Sequence, residues 1–180
     1  MSEEVRPTGR PNARLGQTVR DMVLSLIVVL GVVGLIIAIT WRPEPEAVKR
    51  VDAAPLLAVA SQQAAYPVLD PSRIEEFVPT SVRWEPTTAS LGVPVWHVGG
   101  VYRDDAYLQL AQAATVEPDV VDEQTAAGRP IGPVDIGGAT WEQREAGERR
   151  SLVLQRDGVT TVVSGTMSWE DLTTVVVRLG

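Results

Sequence analysis

The sequence predicts an α+β chain: a single N-terminal transmembrane helix, followed by one antiparallel-sheet domain of about five strands with helices on one face. Three observations lead to this prediction. The run Met22–Thr40 carries no charge and consists largely of Val, Leu and Ile. Asp157-Gly158 separates two apolar segments in the manner of a two-residue β-hairpin. A helical stripe of apolar residues follows Ser168.

The apolar run Met22–Thr40 has the length of a membrane span. Its nineteen residues reach about 28 Å as a helix, against about 30 Å for the hydrocarbon core of a bilayer. A cleaved signal peptide is the first alternative, but its apolar region is usually only ~7–15 residues long and precedes an Ala-x-Ala site, which residues 39–43 lack. A soluble core helix is the second, but such a helix keeps a polar face.

The basic residues beside this run predict its orientation. Four arginines precede it, three Lys or Arg lie within residues 42–50, and the more basic flank stays in the cytoplasm. The margin is narrow. We expect residues 1–21 to form a disordered cytoplasmic head, and residues 22–41 to form a single-pass helix in the plasma membrane. The domain that follows would then lie outside the cytoplasm.

A spacer and a helix are predicted next. Residues 42–51 include Pro43-Glu44-Pro45-Glu46, which favours a stiff, extended segment. Residues 52–180 then form the domain. It begins with a helix over Ala53–Ala65, which Asp52 caps, because proline in the first helical turn and an Asp before it are typical of a helix start.

The remaining elements are predicted from apolar periodicity. The five strands are Thr80–Trp84, Val95–Tyr102, Ala139–Arg144, Arg149–Arg156 and Val159–Thr166. Asp104 or Asp105 is expected to cap a helix that reaches Thr115, because apolar residues recur there at helical spacing. A polar loop rich in proline and glycine follows that helix. These residues are Pro118, Gly128, Pro130, Gly132 and Pro133.

The hairpin at Asp157-Gly158 fixes a register. A type I′ turn needs positive φ at both central residues, which Asp and Gly tolerate. The turn pairs Leu154 with Thr161, Val153 with Val162, and Leu152 with Val163. Ser168 is expected to cap the last helix, with Asp171 at the capping-box position.

No catalytic, cofactor-binding or metal-binding residues are predicted, and no cofactor is expected. His97 is the only histidine and cysteine is absent, so nucleophilic triads and zinc sites lack their usual groups. We interpret His97 as a structural residue of a strand. Asp104 and Asp105 are interpreted as helix caps.

Three further patterns have structural interpretations. Asp119, Asp122 and Glu123 match no calcium-binding loop and indicate a solvated polar face. Gly137-Gly138 precedes a strand and lacks phosphate-loop spacing, while Gly99-Gly100 indicates a bulge or bend. Most of the tryptophans are expected in the core; two of them exposed in one groove would indicate a carbohydrate or peptide surface. They are Trp84, Trp96, Trp141 and Trp169.

The charge of the chain limits its partners. The net charge is −7, and residues 41–180 carry twelve Lys or Arg against twenty Asp or Glu. Nucleic acid is therefore not expected as a partner, because phosphate binding requires a basic surface. The expected partners are the membrane, through the span, and an envelope protein or a cell-wall component. The oligomeric state is left open.

Several motifs resemble a known family by their order along the chain. They are Thr18-Val19-Arg20-Asp21-Met22, Val51-Asp52, Pro79-Thr80-Ser81-Val82-Arg83-Trp84, Trp96-His97-Val98-Gly99, Gly137-Gly138-Ala139-Thr140-Trp141-Glu142 and Ser164-Gly165-Thr166-Met167-Ser168-Trp169. The chain resembles the actinobacterial single-pass membrane proteins of domain-of-unknown-function family 4245. The resemblance implies a membrane-anchored domain in an actinobacterial cell envelope, and it brings no activity, cofactor or site residue.

These observations lead to one leading hypothesis and two alternatives. The leading hypothesis is a membrane-anchored extracytoplasmic domain that serves as a binding or interaction module of the cell envelope. A carboxylate-based enzyme acting on cell-wall glycan is the first alternative, since glycoside hydrolysis requires only two carboxyl groups about 5–10 Å apart. An accessory subunit of a membrane complex is the second.

Overall fold

The computed structural model describes residues 13–40, 49–103 and 105–180. The chain divides into two compact units, Met1–Ala47 and Val48–Gly180. The first unit contains one described element, helix α1 (Ala13–Thr40). The second contains a β-sheet with helices on both of its faces.

The predicted transmembrane helix is wrong. Within residues 13–40, 49–103 and 105–180, no helix is both long enough and apolar enough to cross a bilayer. The spacer Pro43-Glu44-Pro45-Glu46 lies outside the described residues. The domain boundaries and the extracytoplasmic location stay predictions from the sequence.

The second unit is built on a seven-stranded antiparallel sheet in the order β1-β2-β3-β7-β6-β5-β4. Its strands are β1 (Phe77–Pro86), β2 (Pro94–Tyr102), β3 (Ala106–Ala113), β4 (Arg129–Ile136), β5 (Ala139–Ala146), β6 (Arg149–Arg156) and β7 (Val159–Gly165). Its helices are α2 (Ala54–Gln63), α3 (Pro118–Thr125) and α4 (Trp169–Leu179), with a short 3₁₀ turn at Pro71–Arg73.

The predicted count of five strands is wrong, first because β3 occupies the segment predicted as a helix after Asp104 or Asp105. Asp105 lies in the turn before β3, and Asp104 lies outside the described residues. β3 is a central strand between β2 and β7, and its two faces are both covered. Leu108 and Leu110 pack on one side and Ala111 on the other. A strand buried on both faces has no polar face, so its sequence does not alternate.

The second missing strand is β4, which lies with α3 in the segment predicted as a polar loop. Pro118 occupies the first turn of α3, where proline is tolerated because its missing N–H has no helical partner there. β4 forms one edge of the sheet, and an edge strand accommodates Pro130 and Pro133. The prolines that indicate a loop in the sequence are compatible with both elements.

The prediction that all helices lie on one face is also wrong. The first face carries α2 and α4, whose Ala60, Leu172 and Val175 pack with Trp96 and Leu110 of the sheet. The second face carries α3. Its Val120 and Val121 pack on small and β-branched residues of the central strands. These are Val95, Ala111, Ala113, Val153 and Val162.

The hairpin and the last helix agree with the sequence. Asp157 and Gly158 have φ of 52° and 77°, and the three predicted residue pairs are all present in the β6–β7 ladder. Ser168 is the N-cap of α4: its Oγ accepts a 3.1 Å hydrogen bond from the Asp171 N–H and donates a 2.7 Å bond to Asp171 Oδ2. Local turn and cap chemistry is therefore read correctly from the sequence.

Candidate functional site

A small polar cleft lies on the second face of the sheet, where α3 leaves β1 to β3 partly uncovered. Its volume is about 220 Å³. Charged and hydrogen-bonding side chains from β1, β2, β3 and α3 form most of its wall. The lining residues are Arg83, Glu85, Thr87, Val95, His97, Gln109, Glu123 and Gln124. We refer to it as the His97 cleft.

His97 lies in the middle of β2, opposite Arg83 of β1 and Ala111 of β3. Burial lowers the pKa of His97; the Gln109 side chain and Glu123 oppose this shift, whereas the guanidinium groups of Arg83 and Arg149 add to it. The imidazole is therefore neutral at pH 7. Its Nδ1 is buried and has no hydrogen-bond partner among the described residues. A neutral imidazole with an unpaired nitrogen can bind a polar group of a ligand.

Gly99, beside His97, lets two hydroxyl groups approach the backbone closely. A Cβ atom at this position would lie 3.0 Å from Ser81 Oγ and 3.1 Å from Tyr107 Oη, so a larger residue would displace both hydroxyl groups. The bulge predicted at Gly99-Gly100 lies instead in the adjoining strand β1, whose register with β2 shifts between Pro79 and Ser81.

A chain of buried hydrogen bonds supports the floor of the cleft. Tyr107 Oη donates to Gln109 Oε1 over 3.0 Å, and Gln109 Nε2 donates to Gln124 Oε1 over 2.8 Å. Ser164 Oγ lies within hydrogen-bond distance of the carbonyl oxygen of Gln124, at 3.3 Å, and of Ser151 Oγ, at 2.8 Å. Strands β3, β6 and β7 are thus linked to the end of α3 through polar groups, whose geometry the network fixes.

The outer wall is also fixed. Thr87 Oγ1 donates a 2.7 Å hydrogen bond to Glu123 Oε2, which joins the segment after β1 to α3. Glu123 and the exposed Glu85 bring two carboxyl groups to one cleft. The lining carries one cation, Arg83, and two carboxylates, Glu85 and Glu123, beside neutral donors and acceptors, which disfavours an anionic ligand.

The comparison with known families can now be stated. The model of one family, described as "Protein of unknown function (DUF4245)", matches residues 14–179. The chain belongs to the DUF4245 family. The actinobacterial part of the predicted resemblance stays a prediction, whereas its single-pass helix is the one that the structure contradicts. No curated protein and no solved structure matches the chain.

A second cleft of the DUF4245 chain, about 450 Å³, lies between α3 and strands β4 to β6. Its main charged group is Arg144, which donates a 2.8 Å hydrogen bond to Asp122, pairs with Glu142 and also reaches the Gly128 carbonyl oxygen. Since protein acceptors already surround this guanidinium, it holds α3 to the sheet. The second cleft is therefore a weaker candidate for a polar ligand.

A third cavity, about 590 Å³, lies between the start of α2 and the start of β1. Its two acidic side chains have local partners: Asp52 Oδ1 accepts from the Ala54 N–H and Asp70 Oδ1 accepts from the Ser72 N–H. These bonds pair backbone N–H groups at the start of α2 and of the 3₁₀ turn. The third cavity is consequently explained by local structure.

The acidic residues that were predicted to form one solvated face belong to α3, and two of them have partners on different sides of this helix. Asp122 contacts Arg144 on one side of the helix, whereas Glu123 contacts Thr87 on the other. Across the described part of the chain, no group of three or more His, Asp or Glu side chains could hold a metal ion. Gly137 and Gly138 form the turn between β4 and β5, each with positive φ.

The four tryptophans that the structure describes belong mainly to the core, as predicted. Trp96 and Trp141 are buried, with 0% and 7% of their surface exposed, and Trp84 and Trp169 pack against the same cluster. No tryptophan is exposed in the His97 cleft. Gln109 and Gln124 were not among the residues predicted to be functional. A Gln between Leu108 and Leu110 is the available signal, but it becomes informative only once this segment is recognised as a strand.

Proposed function

We propose that this DUF4245 chain is a binding module and that the His97 cleft holds its ligand. One observation carries the proposal: His97, whose buried Nδ1 has no hydrogen-bond partner among the described residues, lines a cleft whose polar residues are fixed by hydrogen bonds. A site with preset donors and acceptors binds a polar group with little ordering cost. This arrangement favours recognition of a specific ligand.

The ligand we propose is a neutral group rich in hydroxyl or amide functions, such as one sugar unit of a cell-wall glycan. The cleft holds about 220 Å³, which is below the range of roughly 300–1,000 Å³ typical of pockets for whole small molecules. It therefore suits one unit that projects from a larger partner. The net charge of −7 also disfavours nucleic acids and other polyanions.

Binding can be tested with N-acetylglucosamine oligosaccharides as the probe. His97 is the only histidine, so in the tag-free chain the imidazole Hε1 NMR signal belongs to this residue alone. We expect this signal to shift on titration, and we expect H97A to weaken binding at least tenfold. Q155A, in the second cleft, is the matched control and should bind normally. Absence of binding, or equal affinity of H97A and the natural chain, would overturn the proposal.

The two carboxyl groups of Glu85 and Glu123 favour a second candidate, a glycan-hydrolysing enzyme. They line the same cleft, and such chemistry uses one carboxyl as acid and the other as base or nucleophile. The test is release of reducing ends from the same oligosaccharides. Hydrolysis that is lost in both E85Q and E123Q would support the enzyme, whereas binding without hydrolysis would support the binding module.

A further inference from the structure

The two edges of the sheet differ in their capacity to add a strand. Edge strand β4 contains Pro130 and Pro133, and its register shifts between Pro130 and Gly132. Proline and irregular register obstruct pairing at an edge. Edge strand β1 carries proline at Pro79 and Pro86 and a register shift between Pro79 and Ser81, so its regular segment from Ser81 to Glu85 can pair.

The main chain of β1 offers hydrogen-bonding groups at this edge. The Pro79 carbonyl oxygen already accepts a 2.8 Å hydrogen bond from the Val51 N–H, outside the β1–β2 ladder. Pro86 lies opposite Pro94, and neither residue has an N–H group, so this pair is not hydrogen-bonded. Because hydrogen-bonded and non-hydrogen-bonded positions alternate, the N–H and C=O groups of Trp84 point away from β2.

The side chains of the same segment are self-complementary. Arg83 and Glu85 are exposed and lie on one face of the sheet. Trp84 lies between them on the other face, where its indole N–H donates a 2.7 Å bond to Gln63 Oε1. The cation Arg83 and the anion Glu85 lie on either side of Trp84. When two copies of this strand are placed antiparallel, the cation of each copy therefore lies opposite the anion of the other.

We propose that β1 pairs antiparallel with β1 of a second copy of this chain, with the two-fold axis at Trp84. In that register Arg83 faces Glu85 of the second copy, Glu85 faces its Arg83, and the two Trp84 side chains are neighbours. Opposite charges and aromatic pairs across strands stabilise a sheet. Since the β4 edge is obstructed, the assembly closes as a two-fold dimer and does not extend into a fibre.

This inference is independent of the proposed ligand, although Arg83 and Glu85 also line the His97 cleft. Its first test is disulfide formation in the full chain, which contains no natural cysteine. In the proposed register, positions 83 and 85 of opposite copies have Cα atoms about 4.5 Å apart. Two copies of position 83 are separated by about 8 Å, which exceeds the ~7 Å limit for a disulfide.

Under mild oxidation, a mixture of R83C and E85C chains should therefore form crosslinked dimers, whereas R83C alone should not. I131C, on the β4 edge, is the control and should remain uncrosslinked. Equal crosslinking of R83C alone and of the mixture would overturn the register. Absence of crosslinks in the mixture would overturn the dimer.

Charge reversal is the second test, by analytical ultracentrifugation of the full chain. R83E and E85R each place like charges opposite one another at both symmetric positions, and each should raise the dimer Kd roughly tenfold or more. The double variant R83E/E85R restores both ion pairs and should dimerise nearly as the natural chain does. A monomeric natural chain, or a double variant that dimerises no better than the single variants, would overturn the proposal.

Discussion

Gln109 of β3 and Gln124 of α3 are joined by a 2.8 Å hydrogen bond from Nε2 to Oε1. The two side chains are buried, with 5% and 6% of their surface exposed. α3 is thus attached to the sheet by a polar contact beside its apolar residues Val120 and Val121. Because unpaired polar groups in the interior are costly, this bond restricts α3 to one position over the His97 cleft.

Replacing one partner of this pair should destabilise the domain more than replacing both. In Q124L, Gln109 Nε2 loses its side-chain acceptor and keeps only the 3.4 Å contact with the backbone carbonyl oxygen of residue 124, which should cost about 1–3 kcal/mol of unfolding free energy. Q109L/Q124L removes both amides and should recover part of that loss. Urea denaturation of the natural chain, both single variants and the double variant measures the coupling as a double-mutant cycle.

The control for this cycle is Q62A in α2, where Gln62 is exposed and a change within about 0.5 kcal/mol is expected. Additive effects of Q109L and Q124L would contradict the coupling.

The parts of the fold that depend on residues close together in the sequence are predictable from the sequence. Asp157-Gly158 determines both the turn and the β6–β7 register, because the paired residues follow directly from the turn position. Ser168 and Asp171 likewise interact within one helical turn. No distant contact is needed to identify these elements.

The elements that the sequence does not predict depend on distant packing. β3 lacks alternation because α4 and α2 cover one of its faces and α3 the other. Its Tyr107, Leu110 and Ala111 then match helical spacing by coincidence. The His97 cleft has the same origin, since Gln109 and Gln124 meet only when β3 is a strand and α3 is a helix. From the sequence, only the uniqueness of His97 could be recognised.

The pKa of His97 should lie below 6.5, because burial favours the neutral imidazole. An NMR titration of the tag-free chain measures it directly from the single histidine signal. A value at or above 6.5 would contradict the environment described for the cleft.

The same shift makes the stability of the domain depend on pH. The folded state binds the proton less tightly than the unfolded state, so the contribution of His97 is complete above pH 6.5 and is lost as pH falls towards the lowered pKa. The unfolding free energy of the natural chain should therefore decrease relative to that of H97Q between pH 7.5 and pH 5.5. Parallel curves for the two proteins would argue against this linkage.

Three glycine-to-alanine substitutions should form a graded series. G132A is expected to change the unfolding free energy by less than about 0.5 kcal/mol, since nothing lies within 4 Å of its Cβ position. G99A should cost about 1–3 kcal/mol, because the Ser81 and Tyr107 hydroxyl groups must move. G100A should cost more than G99A, because its Cβ would meet the Val78 carbonyl oxygen at 2.2 Å. Thermal or urea unfolding that ranks these variants differently would contradict the packing at the β1–β2 bulge.

Glycine should stabilise the end of α3. Ala126 and Ala127 have φ of 55° and 51°, in the left-handed region that costs a residue with a Cβ about 1–2 kcal/mol. Ala126 is the C-cap of the helix and its side chain is exposed, so A126G loses little packing. The relief of strain exceeds the entropy that glycine adds to the unfolded chain, about 0.5–1 kcal/mol. A126G should therefore raise the unfolding free energy by roughly 0.5–1 kcal/mol.

Exposed Ala58 within α2 is the matched control, and A58G should lower stability by about 1 kcal/mol. If both substitutions destabilise the domain equally, the left-handed cap that orients α3 over the His97 cleft does not exist in solution.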